Sequence, residues 1–117
     1  MALVTVIEKW RLRDEFADQA LKLMQEMDDI VGPGAHSDEG WCEHGRFYQL
    51  HDNPAELWMM YRWRSRPEHE VFIRNEELIL QEFYANYCTG PWEIVYFTEL
   101  PVDVEGAGHE AAGNVDR

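Results

Sequence analysis

Basic residues are scarce in this chain. Lys and Arg number 10 against 23 Asp and Glu, a formal net charge of −13 in 117 residues. A field of that sign repels phosphate backbones and anionic lipid headgroups, so nucleic acid and membrane surfaces are not expected partners. A neutral or cationic small molecule suits the charge better, and solubility alone would also account for it. Cysteine is scarce too. Cys42 and Cys88 form no CxxC pair and no metal-ligand pattern, which suggests free thiols in a reducing cytoplasm. No apolar run is long enough to span a bilayer, and the N-terminal MALVTVIEKW lacks the basic n-region of a leader. Also missing are a Gly-rich phosphate loop, HExxH and GxSxG, so phosphoryl transfer, zinc proteolysis and nucleophile-elbow hydrolysis lose support.

Aromatic residues, by contrast, are plentiful. Five tryptophans each require an apolar wall, and each indole N–H usually requires an acceptor. They serve either the core and a subunit interface or the lining of a pocket. The length fits one domain, with residues 1–100 as the folded unit and 101–117 as a flexible tail without periodicity.

Leu3 to Trp10 is rich in β-branched and aromatic residues and predicts a strand. Asp14 is a candidate N-cap, and Phe16, Ala20, Leu23, Met24, Met27 and Val31 follow at helical spacing. Gly32-Pro33-Gly34 should stop that helix. After a loop to about Gly40, Trp41 to His51 predicts a second strand with Gly45 as a candidate bulge. Asp52-Asn53-Pro54 is turn chemistry, and Leu57 to Arg64 is a third strand forming a hairpin with the second. Ser65-Arg66-Pro67-Glu68 is a capping box opening a helix to about Tyr87, with Asn75 a candidate break. Gly90-Pro91 follows, and Trp92 to Leu100 alternates as a fourth strand.

The order β-α-β-β-α-β predicts an α+β, ferredoxin-like fold: a four-stranded antiparallel sheet with two helices on one face. Strand three presents Leu57, Met59, Tyr61 and Trp63 to one side and Trp58, Met60 and Arg62 to the other. Both sides are largely apolar, so the face without helices is expected to be covered by a second copy in a homodimer.

Polar groups on apolar elements are the candidates for chemistry. Glu8 is in phase with Val4, Val6 and Trp10. It is either a buried carboxyl of raised pKa that acts as a base, or an edge or subunit-interface carboxylate paired with an Arg. His69 lies three residues before Phe72 and could lean toward the core. His44 and His51 have opposite parity, so a regular strand would turn at most one inward. Arg62 and Arg64 flank Trp63 and serve either ion pairs or an anionic substrate group.

The strand order, the Gly40-Trp41 entry to strand two, and Trp63-Arg64-Ser65 before an acidic, aromatic helix start resemble the antibiotic biosynthesis monooxygenase family over about residues 2–100. The resemblance implies a dimeric α+β barrel with a pocket between sheet and helices in each subunit. It also implies oxygenation of an electron-rich phenol, anthrone or quinol without metal or flavin, the substrate carbanion reducing molecular oxygen. Such chemistry calls for a base, a donor to the oxyanion and an apolar cavity. The expected base is Glu8, or else His44 or His69, and the expected walls are Tyr61, Trp63, Phe72 and Phe83. A non-catalytic protein that binds a hydrophobic aromatic molecule is the alternative. A haem-degrading branch is similar too, but it would place an Asn near Glu8 and a ligating His where Phe72 and Ile73 stand, and both departures weigh against haem.

Overall fold

The computed structural model describes residues 3–104. Strand β1 (Val4–Arg11) leads through a 3-10 segment (Asp14–Gln19) into helix α1 (Ala20–Ser37). Strands β2 (Arg46–Leu50) and β3 (Asn53–Trp63) form a hairpin, followed by helix α2 (Arg66–Tyr87) and strand β4 (Glu93–Phe97). The four strands pair antiparallel in the order β2-β3-β1-β4. This is the ferredoxin-like α+β fold expected from the sequence. Of the expected tail, residues 101–104 are exposed coil, and the remainder lies outside the described residues.

Alternation along β3 sorts its side chains. Leu57, Met59, Tyr61 and Trp63 are buried, whereas Met60 and Arg62 are exposed. On β1, Val4, Val6, Glu8 and Trp10 share the buried inner face. The core runs from Trp63 and Phe72 at one end to Trp10, Phe83, Tyr84 and Trp92 at the other. Trp10 anchors the second end, with ring centroids 5.6 Å from Phe83 and 5.1 Å from Trp92.

Four expectations are corrected. First, α1 does not stop at Gly32-Pro33-Gly34 but continues to Ser37. A proline inside a helix costs roughly 3 kcal/mol. Here the apolar face persists through Val31 to Ala35, both packed on the core. Gly34 also lets α2 approach, since a Cβ there would lie 3.0 Å from Oε2 of the buried Glu76. Second, β2 begins only at Arg46, and Trp41 joins the sheet through a single bridge to Trp63. The bulge lies between Gln49 and Leu50 rather than at Gly45. Third, β4 covers only Glu93–Phe97 of the expected Trp92 to Leu100. Fourth, α2 is unbroken at Asn75. Ser65 caps α2 as expected, the Glu68 N–H donating to Ser65 Oγ at 3.3 Å, while the Glu68 carboxylate accepts from the Ser65 hydroxyl at 2.8 Å.

Trp63 is held by what Gly40 lacks. A Cβ on Gly40 would sit 2.1 Å from the Trp63 Nε1 atom. The Arg64 N–H donates to the Gly40 carbonyl at 2.8 Å, fixing this approach. A rigid indole ring cannot yield as a flexible chain end does, so Gly40→Ala should lower stability by about 1–3 kcal/mol in chemical denaturation. Gly45→Ala would meet the mobile Met59 methyl at 2.3 Å and should cost less. Equal losses for the two variants would contradict this packing.

Candidate active site

A cavity of about 240 Å³ opens between the inner sheet face and α1. Its floor is Glu8 from β1 and Met59, Tyr61 and Trp63 from β3. Helix α1 contributes Asp28, Val31, Ala35 and His36; the segment before β2 contributes Trp41, Glu43 and His44; β2 adds Phe47 and α2 adds Phe72. The walls are aromatic and aliphatic, the usual make-up of a small-molecule site. Three carboxylates and two histidines line it, with neither Lys nor Arg among the lining residues. Arg62 and Arg64 form surface ion pairs instead, Arg62 with Glu43 at 2.9 Å and Arg64 with Glu68.

Glu8 is the polar centre. It is 3% exposed. Tyr61 donates its hydroxyl to Oε2 at 2.5 Å, and Trp10 donates its indole N–H to Oε1 at 3.0 Å. Among the described residues no Arg pairs with it, and β1 lies between β3 and β4, so it is not an edge carboxylate. Burial pushes the carboxyl from the ordinary 4.5 up to about 7. The hydrogen bonds from Tyr61 and Trp10 pull the other way without cancelling burial, and the Asp28 charge adds a further upward push. A carboxyl balanced near neutrality can take and return a proton at physiological pH.

The other candidates separate. Tyr61, Trp63 and Phe72 line the cavity. His44 lines it too, whereas His51 is exposed in the hairpin turn. Strand parity does not decide between them, because His44 precedes the regular part of β2. His44, His36 and Trp41 instead form an aromatic triangle with centroids 4.9–5.2 Å apart. Two expectations are corrected. His69 is fully buried but does not line the cavity; it stands behind Tyr61, its Nε2 2.6 Å from the Tyr61 hydroxyl. Phe83 packs against Trp10 and Tyr87 in the opposite end of the core. Sequence reasoning missed Asp28, His36, Trp41, Glu43, Phe47 and Met59 as cavity residues. Only Met59 carried a signal, the β3 alternation it shares with Tyr61 and Trp63.

Phe72 stacks on Trp63 at 4.8 Å, so an apolar ring occupies the place where the haem-binding branch would need its ligand. Among the described residues, no group of three or more His, Cys, Asp or Glu side chains is arranged to hold a metal ion. Among the described residues, no helix is long and apolar enough to cross a membrane.

No sequence-family profile and no curated protein matches the chain. Solved structures do. One described as an antibiotic biosynthesis monooxygenase matches with TM-score 0.59 and 15% identity over 84% of this chain and 99% of that one. Rv0793 from Mycobacterium tuberculosis matches with TM-score 0.61 and 22% identity over 87% and 99%. A conserved protein from Methanosarcina mazei Go1 matches with TM-score 0.60 and 20% identity over 86% and 95%. At these identities the likeness is one of fold: the chain is folded as antibiotic biosynthesis monooxygenase proteins are.

Glu8 and His69 give stability opposite pH dependences. The folded chain holds the Glu8 proton more tightly than the unfolded chain does. Its contribution is full below pH 4.5 and is lost as pH rises through about 7, a change of about 3 kcal/mol. Burial pushes His69 down from 6.5 to about 4, so its contribution is present above pH 6.5 and lost as pH falls through about 4, again by about 3 kcal/mol. Between these limits the two oppose each other. Chemical denaturation across this range should show the wild-type stability falling relative to Glu8→Gln as pH rises from 4.5 to about 7. A difference that stays constant with pH would contradict the assignment.

Proposed function

We propose that this chain is a cofactor-independent monooxygenase, or a related enolising enzyme, acting on an aromatic, polyketide-like or quinol small molecule of secondary metabolism. The observation that carries this reading is Glu8: a buried carboxyl with a pKa of about 7, facing an aromatic-walled cavity. The shared fold with a structure described as an antibiotic biosynthesis monooxygenase supports the same reading.

Glu8 takes a proton from the substrate's acidic C–H or O–H, and the aromatic walls hold the resulting anion in a dry site. His44, which also lines the cavity, is the group to donate to the anion's oxygen. The electron-rich anion reduces molecular oxygen, the second substrate. For an anthrone, a C–O bond forms, the O–O bond breaks, and the products are the quinone and water. Tyr61, Trp63 and Phe72 supply contact surface, with Tyr61 also orienting the Glu8 carboxylate.

The test is anaerobic incubation with anthrone- and quinol-type substrates, followed by oxygen admission and measurement of uptake. Glu8→Gln should lower kcat by about 10²–10⁴-fold, and the wild-type rate should rise with pH through about 7. Activity that requires added metal or flavin, or Glu8→Gln, His44→Ala and His69→Ala variants that all keep full activity, would sink the mechanism. A ligand that saturates the cavity and emerges unchanged would favour a binding protein instead.

The reading includes a homodimer closed sheet to sheet. Supporting it, the outer sheet face exposes Tyr48, Leu50, Met60 and Phe97, with Trp58 half-buried among them. Sedimentation should show a dimer in the wild type and a shift toward monomer in Met60→Glu. A wild-type monomer at micromolar concentration would remove this part. The setting proposed is the reducing cytoplasm, consistent with free thiols at Cys42 and Cys88.

A further inference from the structure

The hydrogen bonds at Glu8 do not end at Tyr61. Val6 on β1 pairs with Tyr61 of β3 on one side and with Tyr96 of β4 on the other. All three lie in one row on the inner sheet face, with the two tyrosines two strands, about 9.5 Å, apart. His69 bridges them from α2, over the small Val6 side chain. Its Nε2 lies 2.6 Å from the Tyr61 hydroxyl and its Nδ1 lies 2.8 Å from the Tyr96 hydroxyl. His69 and Tyr61 are buried, while Tyr96 is half-buried with the Arg66 guanidinium 4.5 Å from its ring centre. The chain thus runs from a group inside the cavity to a half-buried tyrosine on the edge strand β4.

We propose that Tyr61, His69 and Tyr96 form a proton relay linking Glu8 to solvent while the cavity is occupied, an assignment that rests on reading Glu8 as the base of that cavity. Imidazole suits the middle position because it can accept a proton at one nitrogen and release one at the other. A cavity filled by ligand cuts Glu8 off from water on its open side. The relay is then its route for proton exchange.

Donor and acceptor counting fixes two complete arrangements. With Glu8 ionised, the Tyr61 hydroxyl donates to Glu8 and the His69 Nε2–H donates to the Tyr61 oxygen. The Tyr96 hydroxyl then donates to the bare Nδ1. With Glu8 protonated, every bond reverses: Glu8 donates to Tyr61, Tyr61 to Nε2, and Nδ1–H to Tyr96. Three proton shifts interconvert them. The Tyr96 O–H breaks as Nδ1–H forms, Nε2–H breaks as a Tyr61 O–H forms, and the former Tyr61 proton passes to Glu8. Water restores the Tyr96 proton, so the net change is one proton carried from water to Glu8, or the reverse. No electron moves, and His69 is neutral in both end states.

The groups facing this chain are Asp28 of α1, Tyr61 of β3, Tyr84, Arg66 and Glu70 of α2, and Tyr96 of β4. Of these, Asp28 is the other carboxylate acting on Glu8, so Asp28→Asn is the control variant. A merely structural histidine, satisfied on both nitrogens, would keep one tautomer. A relay histidine must change tautomer with the charge on Glu8.

Ring-nitrogen NMR of His69 in the full chain, with no substrate added, reads this directly from about pH 5.5 to about pH 8.5. The expected result is a neutral ring whose proton moves from Nδ1 at the acid end to Nε2 at the basic end. Asp28→Asn should keep that switch, and Tyr61→Phe should abolish it. A wild-type tautomer that is constant across the range, or a ring that becomes doubly protonated within it, overturns the relay. The wild-type titration decides even where Tyr61→Phe fails to fold. A constant tautomer alongside loss of oxygen uptake in Glu8→Gln would remove the relay and leave the base, so the two readings fail separately.

Discussion

The arrangement turns on one contact, the Tyr61 hydroxyl on the buried Glu8 carboxylate. It exists because β1 and β3 pair in a register that sets Val6 against Tyr61 and Glu8 against Met59. Glu8 and Tyr61 are therefore diagonal neighbours on the same inner face, within reach of a long side chain. A slip of one residue would turn Glu8 and Trp10 outward and leave the cavity without a titratable floor. The same register places Tyr96 beyond Val6 and opens the gap that His69 fills.

Burying Glu8 opposes folding above neutral pH, and no cation among the described residues neutralises it. A neutral glutamine or an aliphatic residue would give a quieter core. The neighbouring His69 is biased the other way, so the pair spreads the pH sensitivity of the fold over opposite directions. Such a conflict between stability and local chemistry is what functional sites display when a proton must be exchanged near neutrality. The aromatic walls contribute the low-dielectric surroundings, and the carboxyl groups among the lining residues are accompanied there by neither Lys nor Arg.

Much of this was legible in the residues where the backbone is regular. The alternation of β1 and β3 placed Glu8, Tyr61 and Trp63 inward, and the capping box located the start of α2. The failures fall where periodicity stops being informative. His44 sits in irregular chain ahead of β2, so parity could not orient it. Phe83 shares the apolar face of α2 with Phe72, but eleven residues of helix separate them by about 16 Å along the axis, beyond the span of one small cavity. His69 was expected in the pocket, yet it lies one layer behind, since a helix face shows which side is buried and not what it is buried against. The continuation of α1 through Pro33 depended on α2 docking at Gly34, a tertiary contact that local propensity does not contain.

The central claim is that a buried carboxyl on the inner sheet face titrates near neutrality under the opposing influence of burial and the Tyr61 hydroxyl. The most direct measurement is the carboxyl-carbon NMR shift of Glu8 followed against pH in the wild-type chain. The account predicts a single transition with its midpoint near 7. A midpoint near the ordinary 4.5 would contradict it and remove the base on which the proposed chemistry depends.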